Sequence, residues 1–162
     1  YQRAARHGSV AVDLLAHQTP TIAAFEAMIR RAIDGFAARL PDRPGHPFLH
    51  RKPKRYDLIV WANILSESGH QAAHIHNLGW LSGVYYPFIP DVVRGDDPER
   101  LGWIEFGRPG YDLPCRYEPR VAAFKPENGL ILMFPSYFWH RTIPFLGASE
   151  RISIAFDVHM RE

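Results

Sequence analysis

From Tyr56 onward the chain is a succession of short apolar, β-branched or aromatic runs, each cut off by Gly, Pro or Asp before it reaches helical length. The runs are YDLIVWANIL, HQAAHIH, LSGVYYPF, LGWIEF, RVAAF, GLILMF, SYFWHRT and RISIAFDV, with turn-forming stretches such as VRGDDPER and RPGYD between them. Eight short strands without intervening helices predict a sandwich or a jelly-roll barrel. The residues before Tyr56 have a different texture. Ile22, Phe25, Ile29, Ile33, Phe36 and Leu40 recur every three or four positions, with Glu26, Arg30, Arg31, Asp34 and Arg39 between them, which is the pattern of a helix that covers a core and solvates its back. Pro20 suits the first turn of that helix. Pro41, Pro44, Pro47 and Pro53 then deny the backbone donors and mark residues 41–55 as a connector. The expected plan is a helical flank and Pro-rich connector over residues 1–55, followed by a β-barrel over residues 56–162.

A chain of 162 residues supports one sizeable core. Its 46% hydrophobic and 22% charged residues exclude a disordered or fibrous chain, and no fixed-period repeat is present. With 19 basic and 17 acidic side chains the net charge is +2, too little to attract nucleic acid or anionic lipid by itself. Neither is expected as a partner. Cys115 is the only cysteine, so no intrachain disulfide can form and a reducing compartment is expected. No run of about 18 apolar residues is present to cross a bilayer, and YQRAARHGSV does not resemble a secretory signal. The expected location is the cytoplasm. A start at Tyr1 rather than Met suggests a piece of a longer polypeptide.

Nine histidines are many for this length, and four of them are His70, His74, His76 and His140. In a strand, His74 and His76 would send both imidazoles to one face, about 7 Å apart, while Ile75 points to the other. That arrangement suits one shared metal ion, although surface or core histidines give the same pattern. His140, near the end of GLILMFPSYFWH, is where a barrel can bring a third imidazole opposite the pair. Tyr137, Phe138 and Trp139 would surround it. Arg151 opens the strand RISIAFD, whose alternation puts Arg151, Ser153, Ala155 and Asp157 on one face. A buried arginine is costly without an anion, and a dicarboxylate ligand or a nearby Asp or Glu would each supply one.

The order H-x-H, a distant His, then R-x-S eleven residues later resembles the Fe(II)- and 2-oxoglutarate-dependent dioxygenases. HIHNLGWLSGVYYPF and GLILMFPSYFWHRTIPFLGASERISIAFDV look specifically like the 2-oxoglutarate oxygenase branch often found behind tetratricopeptide repeats, and more distantly like prolyl hydroxylases. The likeness spans roughly residues 57–160. It implies a double-stranded β-helix behind the helical flank that the periodicity predicts, with Fe(II) as cofactor and 2-oxoglutarate as cosubstrate. O2 and a peptide, amino-acid or small-molecule substrate would complete the reaction, and a repeat domain upstream would be in keeping with the branch. Position by position, the likeness makes His74 and His140 iron ligands and sets Arg151 against the distal carboxylate of 2-oxoglutarate. Ser153 and Tyr86 join that contact, and Asn63 falls near the iron-binding end.

His76 departs from the pattern, because the usual facial triad has a carboxylate there. Its place beside His74 still makes it the third ligand. His70 is a substitute, expected in a loop. Trp80, Trp103, Arg108 and Trp139 are candidates for a substrate mouth. The competing reading on the same barrel is a cupin-type metalloprotein, a three-histidine dioxygenase or an isomerase, since Gly129, Pro135 and His140 match much of a second cupin motif. It lacks the Glu that should follow H-x-H and gives Arg151 and Ser153 no task. A non-catalytic interaction module is the other alternative.

Overall fold

The computed structural model describes residues 4–95, 97–110, 113–147 and 150–161. Asp96, Tyr111 and Asp112, in the two turn stretches singled out above, lie outside the described residues. The helix, α1, runs Pro20–Arg39; Thr19 accepts the Ile22 N–H at its start, Pro20 occupies the first turn, and Leu40 and Pro41 end it. The strands are β1 (Ala5–Ala11), β2 (Tyr56–Gln71), β3 (Leu81–Phe88), β4 (Ile104–Phe106), β5 (Ala122–Phe124), β6 (Ile131–Pro135), β7 (His140–Thr142) and β8 (Arg151–Met160). They form a five-stranded sheet in the order β1-β2-β8-β3-β6 and a three-stranded sheet in the order β5-β4-β7. Every pairing is antiparallel. This is a mainly β, double-stranded β-helix with a helical flank.

Two apolar clusters hold the layers. On the outer side of the large sheet, Ile29 and Ile33 of α1 pack with Leu58 and Val60 of β2, Leu81 of β3, and Phe156 and Val158 of β8. Each such side chain contributes about 1.5–3 kcal/mol by leaving water. Between the sheets, Leu65, Val84, Tyr86, Ile104, Phe134 and Phe145 form the second cluster. Strand β8 contributes to the first of them. Its Ile154, Phe156 and Val158 pack toward the helix, and Arg151, Ser153, Ala155 and Asp157 face the barrel interior, as the alternation predicts.

Three features depart from the sequence expectations. ARHGSVA is a strand although it lacks apolar alternation; it is held at the edge by β2, and a side chain at Gly8 would press within 2.6 Å of the Ile64 carbonyl. HQAAHIH does not form a separate strand. His70 and Gln71 end β2, so His70 is in a ladder opposite Arg6 rather than in a loop, and His74 makes only an isolated bridge with His140. Trp80 is no part of a mouth: it is buried, stacks on Phe48 with ring centroids 4.7 Å apart, and donates its indole N–H to the Phe48 carbonyl. That contact also ties the Pro-rich connector to the core beneath α1. The apolar character of Trp80 was visible in the sequence; its partner thirty-two residues upstream was not.

Candidate metal centre

Three histidines converge at one end of the barrel interior. His74 and His140 exchange backbone hydrogen bonds of 3.0 Å in both directions, and the His76 N–H donates to the Ser136 carbonyl at 2.9 Å. A pair of short cross-connections, not a regular ladder, thus brings the segment after β2 against the start of β7. The ring centroids lie 4.3 to 5.1 Å apart, and one ligand atom from each ring lies within 4.8 Å of the others. Three ring nitrogens this close could share one ion.

The hydrogen bonds fix which nitrogen each ring offers. His74 Nδ1 lies 2.7 Å from the Ala72 carbonyl and His140 Nδ1 lies 3.0 Å from the Phe138 carbonyl. A carbonyl only accepts, so Nδ1 carries the proton in both neutral rings and Nε2 keeps its lone pair. His76 Nδ1 lies 2.6 Å from Asp157 Oδ1, with Ser82 Oγ at 3.0 Å, and its Nε2 is a buried atom that makes no hydrogen bond among the described residues. All three Nε2 atoms are therefore suited to a cation. Burial pushes His74 down to about 4, the nearby His76 adding to the effect and the Ala72 carbonyl opposing it. Burial also drives His140 well below the ordinary histidine value, aided by His74 and His76. Imidazoles that resist protonation suit a metal at neutral pH. Phe134 and Phe106 flank His140 and Trp61 flanks His76, which makes the surroundings dry.

The same cavity continues along β8 and is lined by Trp61, Asn63, Tyr86, Arg151 and Ser153 as well as the three histidines. Arg151 is 2% exposed, and no ion pair holds it among the described residues. Burial lowers its pKa from the ordinary value, opposed by Tyr86, whose ring lies 5.2 Å from the guanidinium carbon. Arg151 Nε and Asn63 Oδ1 are buried without hydrogen-bond partners. Orphaned polar atoms of this kind are expensive unless a ligand satisfies them. An enclosed arginine and hydroxyl beside three imidazoles fit an anion that also reaches the metal, as a keto acid with two carboxylates does.

The cavity thus unites the seven residues that the resemblance assigns to the metal and the cosubstrate: Asn63, His74, His76, Tyr86, His140, Arg151 and Ser153. His70 is outside the histidine cluster. Arg108 donates to Glu105, which Arg141 also engages, while Trp139 packs beside Gly110. Trp103 sits beneath the Arg100 guanidinium, 5.8 Å from ring to cation. Asp157, Ser82, Ser136 and Gly79 meet behind His76, and periodicity and motif assign none of them a role. Asp157 was already on the inward face of RISIAFD, and that was the available signal.

The family described as "Putative 2OG-Fe(II) oxygenase" matches residues 59–157. No curated protein matches the chain by sequence. Among solved structures, a Pseudomonas putida prolyl-4-hydroxylase is 15% identical with a TM-score of 0.61, over 96% of this chain and 74% of its own. HygX from Streptomyces hygroscopicus, solved with nickel and 2-oxoglutarate bound, is 13% identical with a TM-score of 0.64, over 96% of this chain and 71% of its own. The viral collagen prolyl hydroxylase vCPH from Paramecium Bursaria Chlorella virus-1, in a 2OG complex, is 11% identical with a TM-score of 0.57, over 98% of this chain and 82% of its own. At such identities the structures speak for the fold, whereas the family match spans most of the barrel and both halves of the cavity. The chain belongs to the 2OG-Fe(II) oxygenases, oxidoreductases that work with Fe(II) and 2-oxoglutarate.

Proposed function

We propose that His74, His76 and His140 hold Fe(II) through Nε2, and that the enzyme hydroxylates a peptide, amino-acid or small-molecule substrate at this centre. The observation that carries the reading is the common cavity: three imidazoles with their Nδ1 atoms already engaged, and a buried Arg151 with an unsatisfied Nε. When bound, Fe(II) and 2-oxoglutarate supply the oxidation, one oxygen atom of O2 going to the substrate C–H and the other to the succinate left after loss of CO2. The protein's own residues orient and shield. Arg151 takes the distal carboxylate in its guanidinium fork, Ser153 donates its hydroxyl two residues further along the same face, and the Tyr86 phenol closes the clamp. Asn63, opposite Ser153 in the β2–β8 ladder, offers its amide to the same end of the cavity. Phe106, Phe134 and Trp61 keep water from the imidazoles.

Among the described residues no helix is long and apolar enough to cross a membrane. We place the enzyme in the cytoplasm, where a ferrous centre and the single, exposed Cys115 stay reduced. A repeat domain upstream, delivering a peptide substrate, completes the proposal, with residues 56–162 as the oxygenase unit and residues 1–55 as its flank.

Anaerobic Fe(II) titration with and without 2-oxoglutarate tests the assignment. The expected result is stoichiometric iron, with a weak visible charge-transfer absorption that requires 2-oxoglutarate and disappears in Arg151→Ala and His140→Ala. Stoichiometric iron without that absorption would instead favour a three-histidine metalloprotein that ignores 2-oxoglutarate, the reading His76 by itself would suit.

A further inference from the structure

A facial triad with a carboxylate gives its ferrous ion one negative ligand, whereas three neutral imidazoles give none. Asp157 lies immediately behind one of those imidazoles. It is 0% exposed, on the inward face of β8, opposite Ser82 in the ladder with β3. Its Oδ1 accepts from His76 Nδ1 at 2.6 Å and from Ser82 Oγ at 2.6 Å; the Ser82 and Ser136 hydroxyls are 2.8 Å apart. The other two histidines donate to backbone carbonyls. Of the three, His76 alone donates to a side-chain carboxylate among the described residues.

The neighbourhood is shaped around this contact. A β-carbon at Gly79 would fall 2.5 Å from Ser136 Oγ and 3.7 Å from Asp157 Cγ, so the LGW glycine keeps clear the space in which Ser136, Ser82 and Asp157 meet. The pairing of β8 with both β2 and β3 fixes the backbone that carries the buried Asp157 side chain. An ionised acceptor gives a shorter and stronger hydrogen bond than a carbonyl, and it makes the imidazole behind which it stands a more electron-rich donor.

We infer that Asp157 is a positioning residue of the metal centre: it orients His76 for metal binding through Nε2 and returns, one imidazole removed, the negative charge that a ligand carboxylate would supply. This rests on His76 being a metal ligand. Ser82 and Ser136 hold Asp157 in place, and Gly79 makes their packing possible. The histidine that departs from the facial triad and the aspartate behind it then form one unit.

The test uses Co(II), whose visible spectrum reports the donors around it, added anaerobically to the metal-free protein and to Asp157→Asn. The amide can still accept from Nδ1–H and nearly preserves volume, so the comparison isolates charge. Co(II) affinity should fall roughly 10- to 100-fold, with the visible bands displaced, and the thermal midpoint of the metal-free variant should remain near the wild-type value. A merely structural aspartate would lower the midpoint and leave the bands of the loaded protein unchanged. Equal affinity and an unchanged spectrum in a folded variant would overturn the inference while leaving the metal site intact. If wild type binds no Co(II), or His76→Ala binds as wild type does, the assignment beneath the inference fails instead. Should Asp157→Asn not fold, proton and nitrogen NMR of the Zn(II)-loaded wild type decides: the His76 Nδ1–H should resonate downfield of those of His74 and His140, and a resonance alongside theirs would overturn the inference.

Discussion

Replacing Arg151 with methionine separates a ligand-binding arginine from a structural one, because the two roles predict opposite costs. A buried arginine that completes an internal ion pair destabilises the protein by about 3–5 kcal/mol when removed, since it strands its carboxylate. Arg151 strands none among the described residues, and methionine refills most of the volume with apolar atoms. The loss is the contact with Tyr86, about 1 kcal/mol; removal of a desolvated charge offsets part or all of it. The metal-free melting midpoint should therefore stay within about 5 °C of wild type. Binding of 2-oxoglutarate should suffer instead. Loss of a buried, hydrogen-bonded charge pair costs roughly 2–5 kcal/mol, an increase in Kd of about 30- to 5,000-fold. Isothermal titration of the metal-loaded protein gives Kd, and thermal melts with and without 2-oxoglutarate give the linked stabilisation, which should vanish in the variant. A protein that melts far below wild type but binds 2-oxoglutarate within about threefold of it would refute the reasoning and return Arg151 to a structural role.

Tyr86→Phe keeps the ring over Arg151 and removes one hydroxyl, so 2-oxoglutarate affinity should fall about 5- to 10-fold with little change in iron affinity, as the same titration will show. A β-carbon at Gly83 would lie 2.2 Å from Phe156 Cζ, within the cluster beneath α1, so Gly83→Ala should cost about 1–3 kcal/mol in a urea unfolding curve. The depressed His74 value has a signed consequence for the metal-free protein. Above pH 6.5 the ring is neutral whether folded or not; between 6.5 and about 4 the unfolded chain binds a proton that the folded ring refuses, so stability falls as pH falls. Acidification through that window should remove about 3 kcal/mol through His74, with a further contribution from His140. In His74→Ala that part of the slope should disappear from thermal melts across the window.

Periodicity made α1 and most of the barrel legible, because each signal is local. Ile29 and Ile33 recur at helical spacing, and β8 alternates over its whole length. Strand β1 was not legible: Arg6, Gly8 and Ser9 have no strand preference, and the segment is a strand because β2 offers it a partner more than fifty residues away. The histidines illustrate a different limit. Alternation foresaw that His74 and His76 would share a direction, yet their backbone is fixed by isolated contacts with Ser136 and His140, which no local pattern specifies. Asp157 showed its face but not its partner, since the Nδ1–Oδ1 contact spans 81 residues.

Strand β8 explains why cosubstrate clamp and metal support occur on one short stretch of sequence. Its inward residues at successive odd positions contribute Arg151 and Ser153 at one end of the cavity, the small Ala155 in the middle, and Asp157 behind His76 at the other. The even positions from Ile154 to Val158 pack toward α1. A slip of one residue in its pairing with β2 or β3 would exchange the two sets, burying Ile152 and Ile154 in the cavity and placing Arg151 and Asp157 under the helix. Neither exchange is tolerable, for a charge beneath α1 has no partner and an isoleucine in the cavity fills the space of the ligand. The apolar contact with α1 therefore does more than stabilise the sheet. By holding β8 in register, Ile29 and Ile33 fix from the opposite face where the arginine and the aspartate stand. Substitutions such as Ile33→Ala should accordingly loosen 2-oxoglutarate and metal together, without touching either.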